Sequence, residues 1–436
     1  MKILVALHKC MDLGGIIDHT EQLIGGLKDL GHDVQLKELV WAFNAPAQRK
    51  TADWSIGPSG IPHHQGKGWN FDRKDRIPYR GGAALSGASQ ILQQYDLIIW
   101  TMPVPSKNKE NLGNNDWPEL YDLPDSVKQI AFVHDGNAVK GAGHLLAIQD
   151  RLSGLACVHP CALNGAAFAD VPRTLVVNPQ KDPVRPYAKW EQKSPGFVNM
   201  QTFKAWKHVH ELVEAIAYMH PRGADELREV AGLGIEYRYM TSEEKCKPQY
   251  YHEKIHMFGL SDDAPFSEMK FWDAALNNGM THHDYWDKDQ VDNYLNEARI
   301  LIDPSWSNNY SKVGGHFNRV AVDAMMRGCC VVAREKGMGS EVFQAGEHYI
   351  AIPEDADAQE YADLIKYASG IAPKTAQRMI DANRELLPMF DRKTVAQRVI
   401  DLAHGEIETE ATQGTASEAM ETKVENYLFD HFGVLL

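Results

Sequence analysis

YLNEARILIDPSWSNNYSKVGGHFNRVAVDAMMRGCCVVAREKGMGSE, residues 294–341, opens with helix-compatible spacing and runs into the short apolar stretch ILID. It then crosses a polar loop with paired glycines and enters a segment where Phe317, Val320, Ala321 and Ala324 fall at helical spacing. A second apolar run, CCVVA, leads to another glycine loop, KGMGS. The order is strand, loop, helix, strand, loop, a unit of a parallel α/β sheet. Gly314 and Gly315 would let a ligand's phosphates approach the backbone, and the free N–H groups at the helix start offer an anion site.

The rest of the chain repeats this alternation. KILVAL followed by LGGIIDHTEQLIGGLKDLGHDVQLKEL predicts strand, glycine turn, amphipathic helix and strand, with Ile17, Leu23, Leu27 and Leu30 on one buried face and Gly31 stopping the helix. Gly14-Gly15 is not the GxGxxG pattern, which argues against a dinucleotide cofactor. YDLIIWTMPVPS and SVKQIAFVHDGNA predict two further strands, the second ending in His134 and Asp135, where ligands collect in parallel sheets. LSGLACVHP and RTLVVNP follow, and then the proline-rich segment NPQKDPVRPYAKWEQKSPG reads as a linker. Beyond it a strand at 196–200, IEYRYM and KIHMFG lead into the opening stretch; 355–402 is expected to be helical, and VENYLFDHFGVLL is a final amphipathic piece. The expected domains are 1–180 with an insertion at about 45–82, a linker at 181–195, a second Rossmann-like domain at 196–415, and a helix at 416–436 packing back on the first domain.

At 436 residues the chain is long enough for two full cores, and 24% charged residues is ordinary for a globular protein. No apolar run reaches the roughly 20 residues that cross a bilayer, and MKILVALHKC reads as a first buried strand, so a cytoplasmic location is expected. The six cysteines lack metal-finger spacing and read as reduced core thiols. A net charge of −14 excludes bulk attraction to nucleic acid but allows a local basic groove. Between Arg49 and Arg80 seven basic residues face three acids, interleaved with Trp54, Trp69, Phe71 and Tyr79. That segment is too long for an idle connection and reads as a binding loop.

Asn318 and Asp323 lie near the mouth of the predicted helix, and Asp323 precedes Ala324-Met325. This resembles the nucleotide-sugar site of retaining glycosyltransferases of the GT-B fold, whose helix carries an acid, seven other residues, and a second acid before Ala-Met. Asp323 stands at the second acid and Gly315 at the first, which leaves donor-sugar recognition to Asn318 or to Lys312 and His316. Lys204 and Lys207, after one strand and before a helix, occupy a position similar to that family's pyrophosphate-gripping loop. The family's arginine falls near Gln201 or Thr202, so Lys204 takes its role. QIAFVHDGN, with DLIIWTMPVPS before it and FKAWKHVHEL after it, resembles the T-even phage DNA α-glucosyltransferases in both halves and in order.

The resemblance implies an α/β, GT-B architecture of two Rossmann-like domains facing across a cleft. It implies retaining transfer from a UDP-sugar without metal or other cofactor. The donor-binding residues are then Gly14, Gly15, Lys204, Lys207, Lys312, Gly314, Gly315, His316, Asn318 and Asp323. Asp135 would orient or deprotonate the acceptor hydroxyl, with His134 assisting and binding the donor sugar. The acceptor implied is a hydroxymethylated pyrimidine in phage DNA, with Arg73, Lys74, Arg76 and Arg80 on its phosphates and the aromatics helping to expose the base. Two other readings stand beside it: a bacterial-type GT-B transferase acting on a lipid, glycan or small molecule, and a noncatalytic nucleotide-sugar or DNA-binding protein with a decayed site. The sugar and the oligomeric state are left open.

Overall fold

The computed structural model describes residues 1–8, 14–40, 54–64, 68–79, 82–102, 117–134, 145–166, 169–180, 188–201, 208–219, 227–231, 271–283, 288–305, 318–334, 338, 342–353 and 355–407. The chain forms two units, Met1–Lys181 with Met389–Leu436, and Asp182–Pro388. Its strands are β1 (Lys2–His8), β2 (Asp33–Val40), β3 (Ser55–Ile56), β4 (Pro62–His64), β5 (Gly68–Trp69), β6 (Arg76–Pro78), β7 (Leu97–Met102), β8 (Lys128–Val133), β9 (Gly154–Cys157) and β10 (Arg173–Leu175) in the first unit. The second unit holds β11 (Ser194–Met200), β12 (Leu227–Ala231), β13 (Thr281–His283), β14 (Ala298–Asp303), β15 (Cys330–Arg334) and β16 (Ile350–Ile352).

The first unit is built on a parallel sheet of order β10-β9-β8-β7-β1-β2-β6. Ile3 to Leu7 are fully buried, as a central strand covered on both faces requires. From β1 the chain winds to β2 on one side and later to β7 on the other, so the switch point where ligands bind in such sheets lies between β1 and β7. Helix Gly14–Asp29 buries Ile17, Leu23 and Leu27. It ends where Gly31 takes a φ of 84°, letting His32 N donate to Leu27 O at 3.2 Å in a left-handed cap that a side chain would strain.

The described parts of the expected binding loop are folded onto this unit. β3, β4 and β5 form a small antiparallel sheet, and β6 extends the main one beside β2. The anchor is Glu21, a buried carboxylate on the first helix. It accepts hydrogen bonds from Trp69 Nε1 at 2.8 Å, Ser59 Oγ at 2.6 Å and Ser59 N at 2.8 Å. Gly57 must lack a side chain there, since a Cβ would sit 2.5 Å from Glu21 Oε2. Trp69, Phe71 and Tyr79 are buried, so these aromatics hold the insertion to the domain and are not exposed wedges.

The expected second domain ran to 415, but the chain returns to the first unit from Met389. Helix Arg392–His404, capped by Asp391 on Lys393 N and Thr394 N, packs along helix Gly14–Asp29. Glycines permit the close approach: a Cβ on Gly26 would meet Arg392 O at 2.0 Å, and one on Gly154 would meet Leu402 Cγ at 2.7 Å. The expected helix at 416–436 and the strands IEYRYM and KIHMFG lie outside the described residues.

The second unit carries a parallel sheet of order β13-β12-β11-β14-β15-β16, with its switch between β11 and β14. Helices Val209–Tyr218 and Ala358–Ser369 cover it, and Trp190, from the expected linker, lies in its core. Lys193 is buried at the start of β11, where its Nζ donates to Leu295, Asn296 and Ala298 carbonyls at 2.8, 3.0 and 3.2 Å. It thereby satisfies the orphan carbonyls at the end of helix Lys288–Glu297. The four described cysteines are buried free thiols.

Candidate functional site

In the second unit a buried polar network closes the carboxyl ends of β11 and β14. Gln201 donates to Asp303 Oδ1 and accepts from Ser305 Oγ at 2.9 Å. Ser305 N donates to Asp303 Oδ1 at 3.1 Å, and Asn318 Nδ2 donates to Ser305 Oγ at 3.3 Å. All four residues are buried, and Asp303 Oδ2 has no hydrogen-bond partner among the described residues. Asn318 is the N-cap of helix Arg319–Met326, yet its side chain does not cap it. The network takes that side chain, leaving first-turn amides without a side-chain acceptor, an arrangement suited to an anion.

Asp323 lies farther along the same helix, its side chain about one quarter exposed and 3.6 Å from Arg327 Nη1. Arg327 also donates to Asp323 O at 2.8 Å and forms a buried ion pair with Asp292, which locks this helix to Lys288–Glu297. Asp323 thus has its backbone fixed while its carboxylate stays accessible.

Beside this network lies a second group. Glu211 pairs with Arg334 at the end of β15 and meets His208 Nδ1 at 2.8 Å and His210 Nε2 at 3.8 Å. Burial acts to raise the Glu211 pKa, but the His208 hydrogen bond and the charges of His208, Arg334 and His210 hold it well below the usual carboxylate range. His208 has a φ of 52°, the single left-handed non-glycine backbone among the described residues. The donor atoms of His208, His210 and Glu211 lie within 4.8 Å of one another, close enough to hold a metal ion. The guanidinium of Arg334 already compensates the carboxylate, so the group reads as an internally neutralised pair.

In the first unit the strand ends are lined with histidine and aromatic rings. His8, at the end of β1, stacks on Trp100 at 5.9 Å and lies 3.4 Å from Tyr121 Oη; burial pushes its pKa down to about 3. His134 follows β8, with Nε2 2.9 Å from Thr101 O. A carbonyl only accepts, so Nε2 carries the proton. Burial pushes the His134 pKa down to about 4 against the opposing pull of Thr101 O, so the ring is neutral at pH 7 and Nδ1 keeps its lone pair. Such a ring accepts a hydrogen bond from a hydroxyl.

Gly14 and Gly15 begin the helix after β1. Arg73 and Lys74 are exposed on a 3-10 turn; Lys37 joins them by donating to Lys74 O at 3.0 Å, while Arg76 is paired with Glu38 at 2.9 Å. Asp135, Lys204, Lys207, Lys312, Gly314, Gly315, His316 and Arg80 lie outside the described residues. Asp303, Ser305, Glu211, Arg334 and His19 had no expected role. For Asp303, Ser305 and Arg334 the signal available was position at the carboxyl ends of apolar runs; Glu211 and His19 lie within helices and gave none.

The two parallel sheets with their switch-point sites define a GT-B fold, and residues 181–386 match the family described as "Glycosyl transferases group 1". The chain is a glycosyltransferase. Among solved structures it is similar to the Anabaena protein Alr3699/HepE in complex with UDP and glucose, at 14% identity over 93% of this chain and 100% of that one, with a TM-score of 0.59. It is also similar to an α-glucosyltransferase in complex with UDP and a 13-mer DNA containing a HMU base, at 13% identity over 93% and 99% of the chains and a TM-score of 0.55. A glycosyltransferase from Rickettsia africae ESF-5 matches at 12% identity over 93% and 98%, with a TM-score of 0.55. At these identities the likeness is one of fold. No curated protein matches the sequence.

Proposed function

We propose that this protein is a retaining, metal-independent glycosyltransferase that moves a sugar from a UDP-sugar to a hydroxymethylated pyrimidine in DNA. The observation that carries the donor half is the helix Arg319–Met326, with uncapped first-turn amides beside a buried network and an accessible Asp323, inside the glycosyltransferase match. In this reading Asp323 accepts from the nucleotide's ribose. Gly14, Gly15, Lys312, Gly314, Gly315, His316 and Asn318 shape the donor site. As the glycosidic bond breaks, negative charge grows on the departing diphosphate, and Lys204, Lys207 and the helix amides meet it. UDP occupies two of the structural relatives, which supports this donor.

On the acceptor side, Asp135 takes the hydroxyl proton and His134, a neutral acceptor, orients a hydroxyl through Nδ1. DNA is supported by the exposed Arg73 and Lys74, joined by Lys37, and by the relative bound to DNA. Arg76 would reach a phosphate only by leaving Glu38. The phage source remains part of this proposal. Incubation with hydroxymethylated DNA and a panel of UDP-sugars, followed by mass spectrometry of the nucleosides, should show one hexose or pentose added per modified base. Transfer to lipid or glycan with unmodified nucleosides would replace DNA by the bacterial-type acceptor. UDP-sugar binding without transfer or hydrolysis would leave a noncatalytic binding protein.

A further inference from the structure

We infer that His19 is a positioning residue that holds the His134 ring in the one tautomer and orientation that leaves Nδ1 as an acceptor. His19 lies on the second turn of helix Gly14–Asp29 and is fully buried. Its ring meets His134 edge-on, centroids 4.8 Å apart at 84°, and meets Phe132 at 4.6 Å and 76°. Phe132 stacks on His134 at 5.8 Å and 23°. His134 is therefore walled by two rings from two different elements, while Thr101 O fixes its Nε2. A ring flip would put Cε1 where Nε2 stands and break that hydrogen bond.

A phenyl ring could serve as the wall, but it could not be tethered. His19 Nδ1 lies 2.8 Å from Asn178 Oδ1, in the segment after β10 that leads out of the unit. An amide oxygen only accepts, so His19 Nδ1 carries the proton and the ring is pinned by a part-buried hydrogen bond. The pair thus braces His134 from a helix and from the segment that follows β10. This inference rests on the proposed use of His134 only for its effect on turnover; the effect on the ring stands apart from it.

The test is nitrogen-15 NMR of the imidazoles in the full chain, with His134 assigned from its loss in His134→Gln. Turnover of UDP-glucose with hydroxymethylated DNA and UDP binding by calorimetry accompany it. His19→Ala should turn the His134 signal from the Nε2–H tautomer into a mixture, lower kcat about 10- to 100-fold, and leave UDP affinity within about twofold. Asn178→Ala keeps the ring and removes only the tether. It should show the same mixing to a smaller degree and keeps the test available if His19→Ala does not fold. An unchanged His134 signal in the folded variants overturns the inference, as does UDP affinity falling in step with turnover. A mixed tautomer with undiminished turnover upholds His19 as the brace and removes His134 from the reaction.

Discussion

The carboxyl edges of the two sheets occupy equivalent places in similar folds, yet their chemistry is opposite. The second unit's edge is ionic, with Asp303, Glu211 and Arg334 buried or nearly so and bound into networks. Among the described residues the first unit's edge holds His8 and His134, kept uncharged by burial among Trp100, Tyr79, Tyr121 and Phe132. The contrast fits the demands of the proposed transfer. A diphosphate brings charge that fixed ions and amides must meet, whereas a hydroxyl nucleophile needs aligned acceptors and little water.

The largest expected effect comes from removing the carboxylate proposed as the base. Asp135→Asn should retain UDP affinity and lose transfer by about 10²- to 10⁴-fold in single-turnover assays, because an amide keeps the shape but takes no proton. Wild-type transfer would assign the proton elsewhere. Removing a charge from the ionic edge should instead damage the fold: Arg334→Ala leaves Glu211 without its guanidinium partner and should lower unfolding stability by about 3 kcal/mol in urea titrations. A loss under about 1 kcal/mol would mean that Glu211 is adequately served by His208 and His210.

Acidification should separate the edges by pH. His134 and His8 have folded pKa values below the ordinary 6.5, at about 4 and about 3, so the stability they favour is complete above 6.5 and is lost as pH falls through that window. Each proton contributes a slope of about 1.4 kcal/mol per pH unit. Glu211 is also depressed, from an ordinary 4.5, so its contribution persists until pH drops below that value. Amide exchange should therefore report the first unit weakening at pH 5 while the neighbourhood of Glu211 holds. His8→Gln and His134→Gln should flatten the decline; an unchanged slope would place the sensitive group elsewhere.

Smaller effects sharpen the contrast between binding and scaffold. Asp323→Ala should weaken UDP binding by about 1–3 kcal/mol by calorimetry, and an unaltered affinity in a folded protein would remove Asp323 from the donor site. Gly26→Ala, whose methyl group meets the Arg392 backbone, should destabilise by about 1–3 kcal/mol without touching UDP affinity. The smallest expected change is Arg73→Ala with Lys74→Ala. DNA affinity should fall alike for all sequences, with about one unit of salt dependence lost per phosphate contact. An unchanged slope would turn the acceptor away from DNA.

Part of the proposed site was legible from position: His134 after QIAFV, and Asn318 and Asp323 around a helix whose spacing shows which side is buried. His19 was not legible as a site residue, because it sits on a helix 115 positions before His134 and reads there as one polar position among others. The aromatics of the insertion misled for a related reason. Trp69 between basic residues resembles a nucleic-acid surface until Glu21, 48 positions away, is found accepting its N–H.

Local alternation of apolar runs, glycines and amphipathic segments determined that this chain makes two parallel α/β sheets, since period and turn chemistry act over a few residues. Tertiary structure decided where the last helix goes. Nothing local in Arg392–His404 says that it leaves the second unit to pack on Gly26 and Gly154, because that choice depends on space created by residues missing a side chain hundreds of positions earlier. It likewise decided which charges are paired and which rings are braced. Charge compensation and ring packing are set by distances in space, which spacing along a chain does not contain.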